Sequence, residues 1–115
     1  MRVYTTSKGT SAHLKDASVD MSCLRAEATD PVLDAAAMVF GPLGYDVVVT
    51  SACDGVHSAG SLHYEGLALD LRCSVVWGFP PSDCEAIEAM MAERLGEAYD
   101  VVWEGSHLHV EYDPS

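Results

Sequence analysis

The sequence predicts an α+β domain in which an antiparallel sheet of about four strands carries helices packed on one face. Two segments repeat apolar residues at helical spacing, and four short segments rich in β-branched and aromatic residues are typical of strands. The last two strand segments are separated by only three residues, which favours an antiparallel hairpin. Because 115 residues suffice for one core, we expect a single domain, with an irregular part over 1–29 and a core over 30–115.

The first predicted helix follows a polar, weakly periodic segment. Residues 5–29 predict irregular structure with room for one short helix. Asp30 and Pro31 then resemble an N-cap followed by proline at the first helical position. An apolar stripe follows at Leu33, Ala36, Ala37 and Phe40. We expect Gly41-Pro42 to end this helix.

Two strand segments flank a loop rich in small residues. Residues 45–50 are short and β-branched, which predicts a buried strand, and residues 52–65 predict a loop. Residues 66–72 alternate strictly. One face of this second strand carries Leu67, Leu69 and Leu71, and the other carries Ala68, Asp70 and Arg72.

The second helix and a hairpin complete the predicted elements. Ser82 or Asp83 is the expected N-cap, and Gly96 follows the last helical residue. The buried stripe of this helix is expected at Ile87, Met90, Met91 and Leu95. Residues 99–103 and 107–112 predict the hairpin strands.

Charge and cysteine usage restrict the function classes. The 18 acidic and 6 basic residues give a net charge of −12, which argues against nucleic acid and anionic membranes as partners. The four cysteines, Cys23, Cys53, Cys73 and Cys84, include no C-x-x-C pair. The N-terminus lacks the apolar core of a signal peptide, so we expect synthesis in the cytoplasm and free thiols. A lytic protein released by another route would look the same.

One group of residues in the predicted strands indicates a metal site. In the last strand His107, His109 and Glu111 share the face opposite Leu108 and Val110. Alternation therefore predicts that Asp70 and His109 lie on a common open face, with His63 arriving from the preceding loop. Three ligands of the His, Asp, His type leave a fourth position for water, which is typical of a catalytic zinc site. His13, by contrast, is expected to be a surface or hydrogen-bonded residue.

The motif around these residues resembles a known superfamily. The resemblance rests on Val47-Val48-Val49-Thr50, on His57-Ser58, on the segment from Ser61 to Asp70, and on His107-Leu108-His109. It is to the zinc D-Ala-D-Ala carboxypeptidases and endopeptidases (peptidase family M15) and to the hedgehog signalling domain, with the hedgehog-like members closest in motif. It covers residues 32–112 and implies their fold.

The resemblance also implies roles for individual residues. His63, Asp70 and His109 would bind Zn²⁺, Glu104 would act as general base, and His107 would stabilise the oxyanion. Glu104 can equally be an ordinary hairpin-turn acid. Family members often carry the base three residues before the last ligand, a position that Ser106 occupies here.

Substrate contacts depart from the peptidase pattern. Peptidoglycan-cleaving relatives often have an arginine shortly after the Thr-Ser pair, whereas Thr50-Ser51 is followed here by Ala52-Cys53-Asp54. Arg72 can replace it as a carboxylate fork or form a structural ion pair. His57 and Ser61 are further candidates for substrate contact. The alternative for His57 is a contact with the metal ligands rather than with the ion or the substrate.

We therefore expect a zinc-dependent peptidase that hydrolyses an amide bond in peptidoglycan stem peptides, as a carboxypeptidase or an endopeptidase. A small unexported chain of this kind suits a phage protein that acts on the cell wall. A hedgehog-like recognition module that binds zinc without hydrolysis is the alternative. We expect a monomer whose partner is a peptide or peptidoglycan, with no membrane contact.

Overall fold

The computed structural model describes residues 2–53 and 66–114, and it confirms the α+β class. These residues form a six-stranded sheet and two α-helices. The strands are β1 Val3–Thr5, β2 Ser11–Leu14, β3 Val48–Ser51, β4 Ala68–Arg72, β5 Tyr99–Trp103 and β6 His107–Tyr112. The helices are α1 Ala26–Phe40 and α2 Pro81–Leu95, and short 3-10 turns follow α1 and β4.

The sheet is mixed, with strand order β1-β2-β3-β4-β6-β5. The four predicted strands form an antiparallel block, β3-β4-β6-β5, and the hairpin of β5 and β6 has the predicted bounds. Two further strands extend this block, and β2 pairs with β3 in parallel. The expectation of an antiparallel sheet of about four strands is therefore wrong for the sheet as a whole.

The N-terminal part is irregular over residues 15–25, as expected, but it also contains two strands that were not predicted. β1 and β2 pair with each other, and Ala12, Leu14 and Val19 lie in the same core as the rest of the chain. Strands of three and four residues leave too few positions for a period of two to be recognised. Because β2 and β3 are parallel, the chain needs a crossover between them, and α1 provides it.

Helix α1 begins earlier than predicted. It starts at Ala26, so that Pro31 lies inside the helix and Asp30 is not its N-cap. Asp30 is buried, and its carboxylate accepts hydrogen bonds from Tyr4 Oη at 2.7 Å and from the Ser7 backbone N–H at 2.9 Å. The residue that resembled a cap therefore fastens the β1–β2 hairpin to the helix. The predicted end of the helix at Gly41 is confirmed.

Helix α2 ends at Leu95, directly before Gly96, as predicted, but it begins two or three residues earlier than expected. Its N-cap is Pro80 rather than Ser82 or Asp83. Asp83 lies in the first turn and accepts a hydrogen bond of 2.6 Å from Tyr45 Oη. This contact ties the start of α2 to the segment that precedes β3.

The core lies between the helices and one face of the sheet. Leu69, Leu71, Leu108 and Val110 pack in one cluster with the buried residues of both helices. The helices thus cover one face, as predicted, and the other face of β4 and β6 carries the ionisable residues. Neither helix of the described chain combines the length and apolarity that crossing a membrane requires.

A disulfide joins Cys23 to Cys53, with their Cα atoms 6.0 Å apart. The expectation of free thiols is therefore wrong for this pair, because two cysteines 30 residues apart in sequence give no local sign of their proximity. Cys73 and Cys84 are buried free thiols. Burial and a hydrogen bond to Cys84 raise the pKa of the Cys73 thiol, which makes it inert.

Candidate metal centre

Asp70 is the centre of the candidate site. It lies in the middle of β4 and pairs directly with His109 of β6, and Arg72 pairs with His107. Residues paired across antiparallel strands present their side chains to the same face. The predicted common face of Asp70, His107 and His109 is confirmed, but Asp70 is only 7% exposed, so this face is not open at its centre.

Each oxygen of the Asp70 carboxylate faces one histidine. Oδ1 lies 2.9 Å from His109 Nδ1, and Oδ2 lies 3.7 Å from His107 Nε2. The carboxylate of Glu104 approaches the same two rings, with Oε1 3.4 Å from His107 Nε2 and 3.9 Å from His109 Nδ1. Four side chains from β4, β6 and the turn before β6 therefore converge on one point.

The β5–β6 turn brings Glu104 to the histidines. The Glu104 backbone N–H donates to the carbonyl of His107 at 2.9 Å, which closes the hairpin. Gly105 has a φ of +90°, a conformation that side chains with a Cβ rarely adopt. Ser106 Oγ is hydrogen-bonded to His107 Nδ1 at 2.8 Å, and this contact leaves Nε2 facing Asp70 and Glu104.

Glu111 belongs to the site, and the sequence argument assigned it no role. Its Oε1 lies 2.8 Å from His109 Nε2, so Glu111 holds the ring with Nδ1 directed at Asp70. The signal was present in the sequence, since Glu111 follows His109 by two residues and strand alternation already put both on one face. What alternation does not show is that the two side chains touch.

Two carboxylates hold the His109 ring protonated when no cation is bound. The hydrogen bond to Asp70 is the largest influence and raises the pKa of His109 to about 9, with a further contribution from Glu111 and an opposing one from burial. A metal ion that uses Nδ1 must therefore displace this proton, so that metal binding releases a proton.

The donor set fits a divalent metal ion. Ligand atoms of Asp70, Glu104 and His107 all lie within 4.8 Å of one another. This described group includes the predicted base and the predicted oxyanion donor, and it does not include the predicted ligand His109. Imidazole nitrogen with carboxylate oxygen is a donor set that zinc accepts, as other divalent ions do. The arrangement at His109, with one nitrogen toward Asp70 and the other on a carboxylate, is the one that metal-binding histidines usually have.

Not every predicted site residue can be placed. His57, Ser61 and His63 fall outside the described residues, so the third predicted ligand stays a prediction. The chain on either side of residues 54–65 is attached to one segment: Cys53 is bonded to Cys23, and the Arg25 N–H donates to the Gly66 carbonyl at 3.0 Å.

Arg72 and His13 differ from what was expected. No described carboxylate lies within 4.0 Å of Arg72, so the alternative of a structural ion pair finds no support in the described chain; its guanidinium carbon lies 3.8 Å from the centre of the Trp77 ring instead. His13 lies in β2 and is half-buried, and its buried Nδ1 has no hydrogen-bond partner among the described residues. The surface or hydrogen-bonded role predicted for His13 is therefore wrong for this nitrogen.

Comparison of the chain with models of protein families, with curated proteins and with solved structures gave no match. The resemblance to zinc peptidases and hedgehog domains therefore rests on the motif alone. The class that fold and site define is an α+β domain with a candidate metal centre on the face of its sheet opposite the two helices.

Proposed function

We propose that this protein is a zinc-dependent peptidase that hydrolyses an amide bond in peptidoglycan stem peptides, as a D,D- or L,D-carboxypeptidase or endopeptidase. The observation that carries the proposal is the convergence of the Asp70 and Glu104 carboxylates on the rings of His107 and His109, with the facing oxygen and nitrogen atoms 2.9–3.9 Å apart. The motif that includes His63 supplies the third ligand and the link to peptidases.

Each residue of the site has its own role in the proposed hydrolysis. Asp70 and His109 hold the ion together with His63, and Glu111 orients His109. Bound zinc supplies Lewis acidity, which lowers the pKa of a water toward about 7 and polarises the carbonyl of the substrate. Glu104, whose side chain is 48% exposed, accepts the proton of the attacking water.

His107 is placed to stabilise negative charge on the carbonyl oxygen of the substrate. Its Nε2 faces the same point as the Glu104 carboxylate, at a distance of 3.4 Å from it. A donor aimed at the position where charge develops stabilises the transition state more than the ground state. His107 therefore contributes to the rate rather than to substrate affinity.

The disulfide supports the part of the proposal in which the protein acts on the cell wall, outside the cytosol. Disulfides persist in oxidising surroundings and are rare in the reducing cytosol. The bond between Cys23 and Cys53 therefore favours a working environment outside the cytosol. Synthesis in the cytoplasm followed by release, as for a phage lytic protein, agrees with this environment.

A zinc-binding recognition module of the hedgehog type is the second candidate. It is favoured by the position of Glu104, which lies five residues before His109 in an exposed turn rather than three residues before it. In this alternative the zinc site stabilises a surface that binds a partner, and no bond is cleaved.

Purified peptidoglycan decides between the two candidates. The zinc-loaded protein is incubated with sacculi, and released fragments are identified by liquid chromatography and mass spectrometry. We expect new muropeptide ends from the wild type, none from Glu104→Gln, and wild-type release from Glu85→Gln, which alters an exposed carboxylate on α2. A wild type that carries zinc and releases nothing contradicts the peptidase proposal and supports the recognition module.

A further inference from the structure

A short segment before α1, residues 20–25, holds the chain at two places near the metal centre. On one side Cys23 is bonded to Cys53, which follows the end of β3 by two residues. On the other side the Arg25 backbone N–H donates to the carbonyl of Gly66 at 3.0 Å, and Gly66 precedes β4 by two residues. The segment therefore fastens the end of β3 and the start of β4 to each other.

The two strand ends that are fastened in this way meet at Asp70. Ser51, the last residue of β3, pairs with Asp70, and Thr50 Oγ1 donates to the Asp70 carbonyl at 3.3 Å. The register between β3 and β4 consists of two pairs and shifts between Val49 and Ser51. The register between β4 and β6 consists of five pairs in sequence. The disulfide thus supports the shorter and less regular of the two pairings that position Asp70.

The disulfide is the covalent part of this attachment and lies outside the core. Neither Cys23 nor Cys53 belongs to the buried apolar cluster between the helices and the sheet. Without the bond, segment 20–25 still contacts the end of β3 through the Cys53 backbone N–H, which donates to the Asp20 carbonyl at 2.9 Å. A single hydrogen bond restricts the chain far less than a cross-link does. We therefore expect reduction to loosen the strand end at Asp70 and to leave the core packed.

The disulfide is accessible to a small thiol. Exchange begins when a thiolate attacks one of the two sulfur atoms, and access to that sulfur influences the rate. Cys23 is exposed, whereas the free thiols of Cys73 and Cys84 are buried. Two molecules of a thiol of the glutathione class supply two electrons and two protons, which yields the thiols of Cys23 and Cys53 and one disulfide of the reductant.

We propose that the Cys23–Cys53 disulfide is a redox switch of the metal centre, in which the oxidised protein binds zinc at Asp70 and reduction by a thiol weakens that binding. The inference rests on the proposed function for the identity of the ion and its role. His63, the third predicted ligand, lies in the sequence between the two places that segment 20–25 holds. A cross-link lowers the entropy that the chain loses when such a ligand reaches the ion. The protein therefore acquires zinc in oxidising surroundings rather than in the reducing cytosol.

Zinc affinity in the two redox states tests the switch. The chelator-stripped protein is reduced with a phosphine, desalted under nitrogen and compared with the oxidised protein by competition with a chromophoric chelator. We expect the oxidised protein to bind zinc at least about tenfold more tightly, as for other groups that support metal ligands. Reoxidation with glutathione disulfide should restore the affinity. Equal affinity of the two forms overturns the proposal.

A double variant separates the cross-link from the thiols, because thiols that reduction sets free can themselves bind zinc. Cys23→Ser with Cys53→Ser should bind zinc as weakly as the reduced wild type. Its affinity should be the same before and after treatment with the phosphine, since Cys73 and Cys84 are buried and already reduced. A double variant that binds zinc as tightly as the oxidised wild type overturns the proposal.

Far-UV circular dichroism distinguishes a switch of the site from a loss of the fold. The reduced, metal-free protein should keep the spectrum of the oxidised protein, because the disulfide lies outside the core. A reduced protein that unfolds under the same conditions overturns the switch, since the cross-link then supports the whole domain.

The redox equilibrium of the wild type with glutathione gives a second value for the coupling. Because coupling is reciprocal, zinc should favour the disulfide by the same factor by which the disulfide raises zinc affinity. A tenfold coupling corresponds to a shift of about 30 mV in the reduction potential of the disulfide. An equilibrium that zinc leaves unchanged overturns the proposal.

The release of muropeptides separates this inference from the proposed function. If zinc affinity depends on the disulfide but the oxidised, zinc-loaded protein cleaves nothing, the peptidase proposal fails and the switch stands. If the protein cleaves peptidoglycan and binds zinc equally well in both redox states, the peptidase proposal stands and the switch is overturned. An oxidised protein that binds no zinc overturns both.

Discussion

At the scale of single residues, the site is organised around how His109 is held. Its two ring nitrogens contact different carboxylates, Asp70 on Nδ1 and Glu111 on Nε2. Only one of these contacts is compatible with a ring that ligates a metal through Nδ1, and that is the contact with Glu111. In the proposed zinc site Glu111 therefore has the role of a positioning residue for His109.

Glu111→Gln tests this role. The amide keeps the shape of the side chain but accepts a weaker hydrogen bond, so we expect zinc affinity to fall about 10- to 100-fold while the fold is retained. Affinity is measured by competition with a chromophoric chelator. Glu97→Gln, at an exposed position beyond α2, is the matched control and should bind zinc as the wild type does. Unchanged affinity in Glu111→Gln would show that the ring needs no such support.

The protonation of His109 predicts how the stability of the metal-free protein depends on pH. The folded pKa is raised from 6.5 to about 9, so the stabilisation is fully present below about pH 6.5 and is lost as the pH rises through about 9. Over this window the free energy of unfolding should fall by up to about 1.4 kcal/mol per pH unit.

Urea unfolding in the presence of a chelator, at several pH values from 6 to 10, measures this loss. His109→Gln cannot carry the proton, so its stability should change less over the same window. A wild type that gains stability relative to His109→Gln as the pH rises would contradict the assigned protonation state.

At the scale of elements, two connections decide where the site lies. The hairpin of β5 and β6 carries Glu104 to the histidines, and the crossover through α1 brings β2, with His13, to the other side of β3. The segment before α1 also holds both sides of residues 54–65, through Cys23 and Arg25. Helix packing and the site are thus coupled through a short stretch of chain.

Gly66 is the tightest point of this coupling. Its φ is +75°, and a Cβ built on it would lie 2.2 Å from the backbone oxygen of Cys23. Gly66→Ala should therefore lower the free energy of unfolding by about 2 kcal/mol or more. The new side chain is strained at a positive φ, and the backbone at Cys23 must also move to make room for the methyl group. Because residues 54–65 precede it, zinc affinity should also fall.

Gly78→Ala is the matched control for this prediction. Gly78 has a φ of +86°, but no atom lies within 4 Å of a Cβ built there, so its substitution costs only the conformational strain, about 1 kcal/mol. Denaturant unfolding of both variants gives the comparison. If both variants lose the same free energy of unfolding, the close approach of Gly66 to the Cys23 carbonyl adds nothing to the cost of the substitution.

At the scale of the whole molecule, the sequence predicts best where local pattern and tertiary structure agree. The β5–β6 hairpin, the end of α2 at Gly96 and the shared face of Asp70 and His109 follow from turn chemistry and a period of two. The predicted start of α1 at Asp30 is wrong because Asp30 accepts a hydrogen bond from Tyr4 inside the helix instead of capping it. β2 and the disulfide depend on residues far apart in sequence, and no local pattern encodes them.

The central claim concerns the whole molecule, because a metal centre at Asp70 requires β4, β6 and the hairpin turn to meet. A second group of carboxylates, Asp100, Glu111 and Asp113, also lies within 4.8 Å of one another and provides the discriminating control. Asp100 is exposed and lies outside the proposed ligand set.

Zinc titration of the chelator-stripped protein, followed by calorimetry and by metal analysis after gel filtration, tests the claim most directly. We expect one zinc ion per chain, lost in Asp70→Asn and retained in Asp100→Asn, with proton release on binding. Zinc that is absent from the wild type, or that is retained in Asp70→Asn and lost in Asp100→Asn, would contradict a metal centre at Asp70.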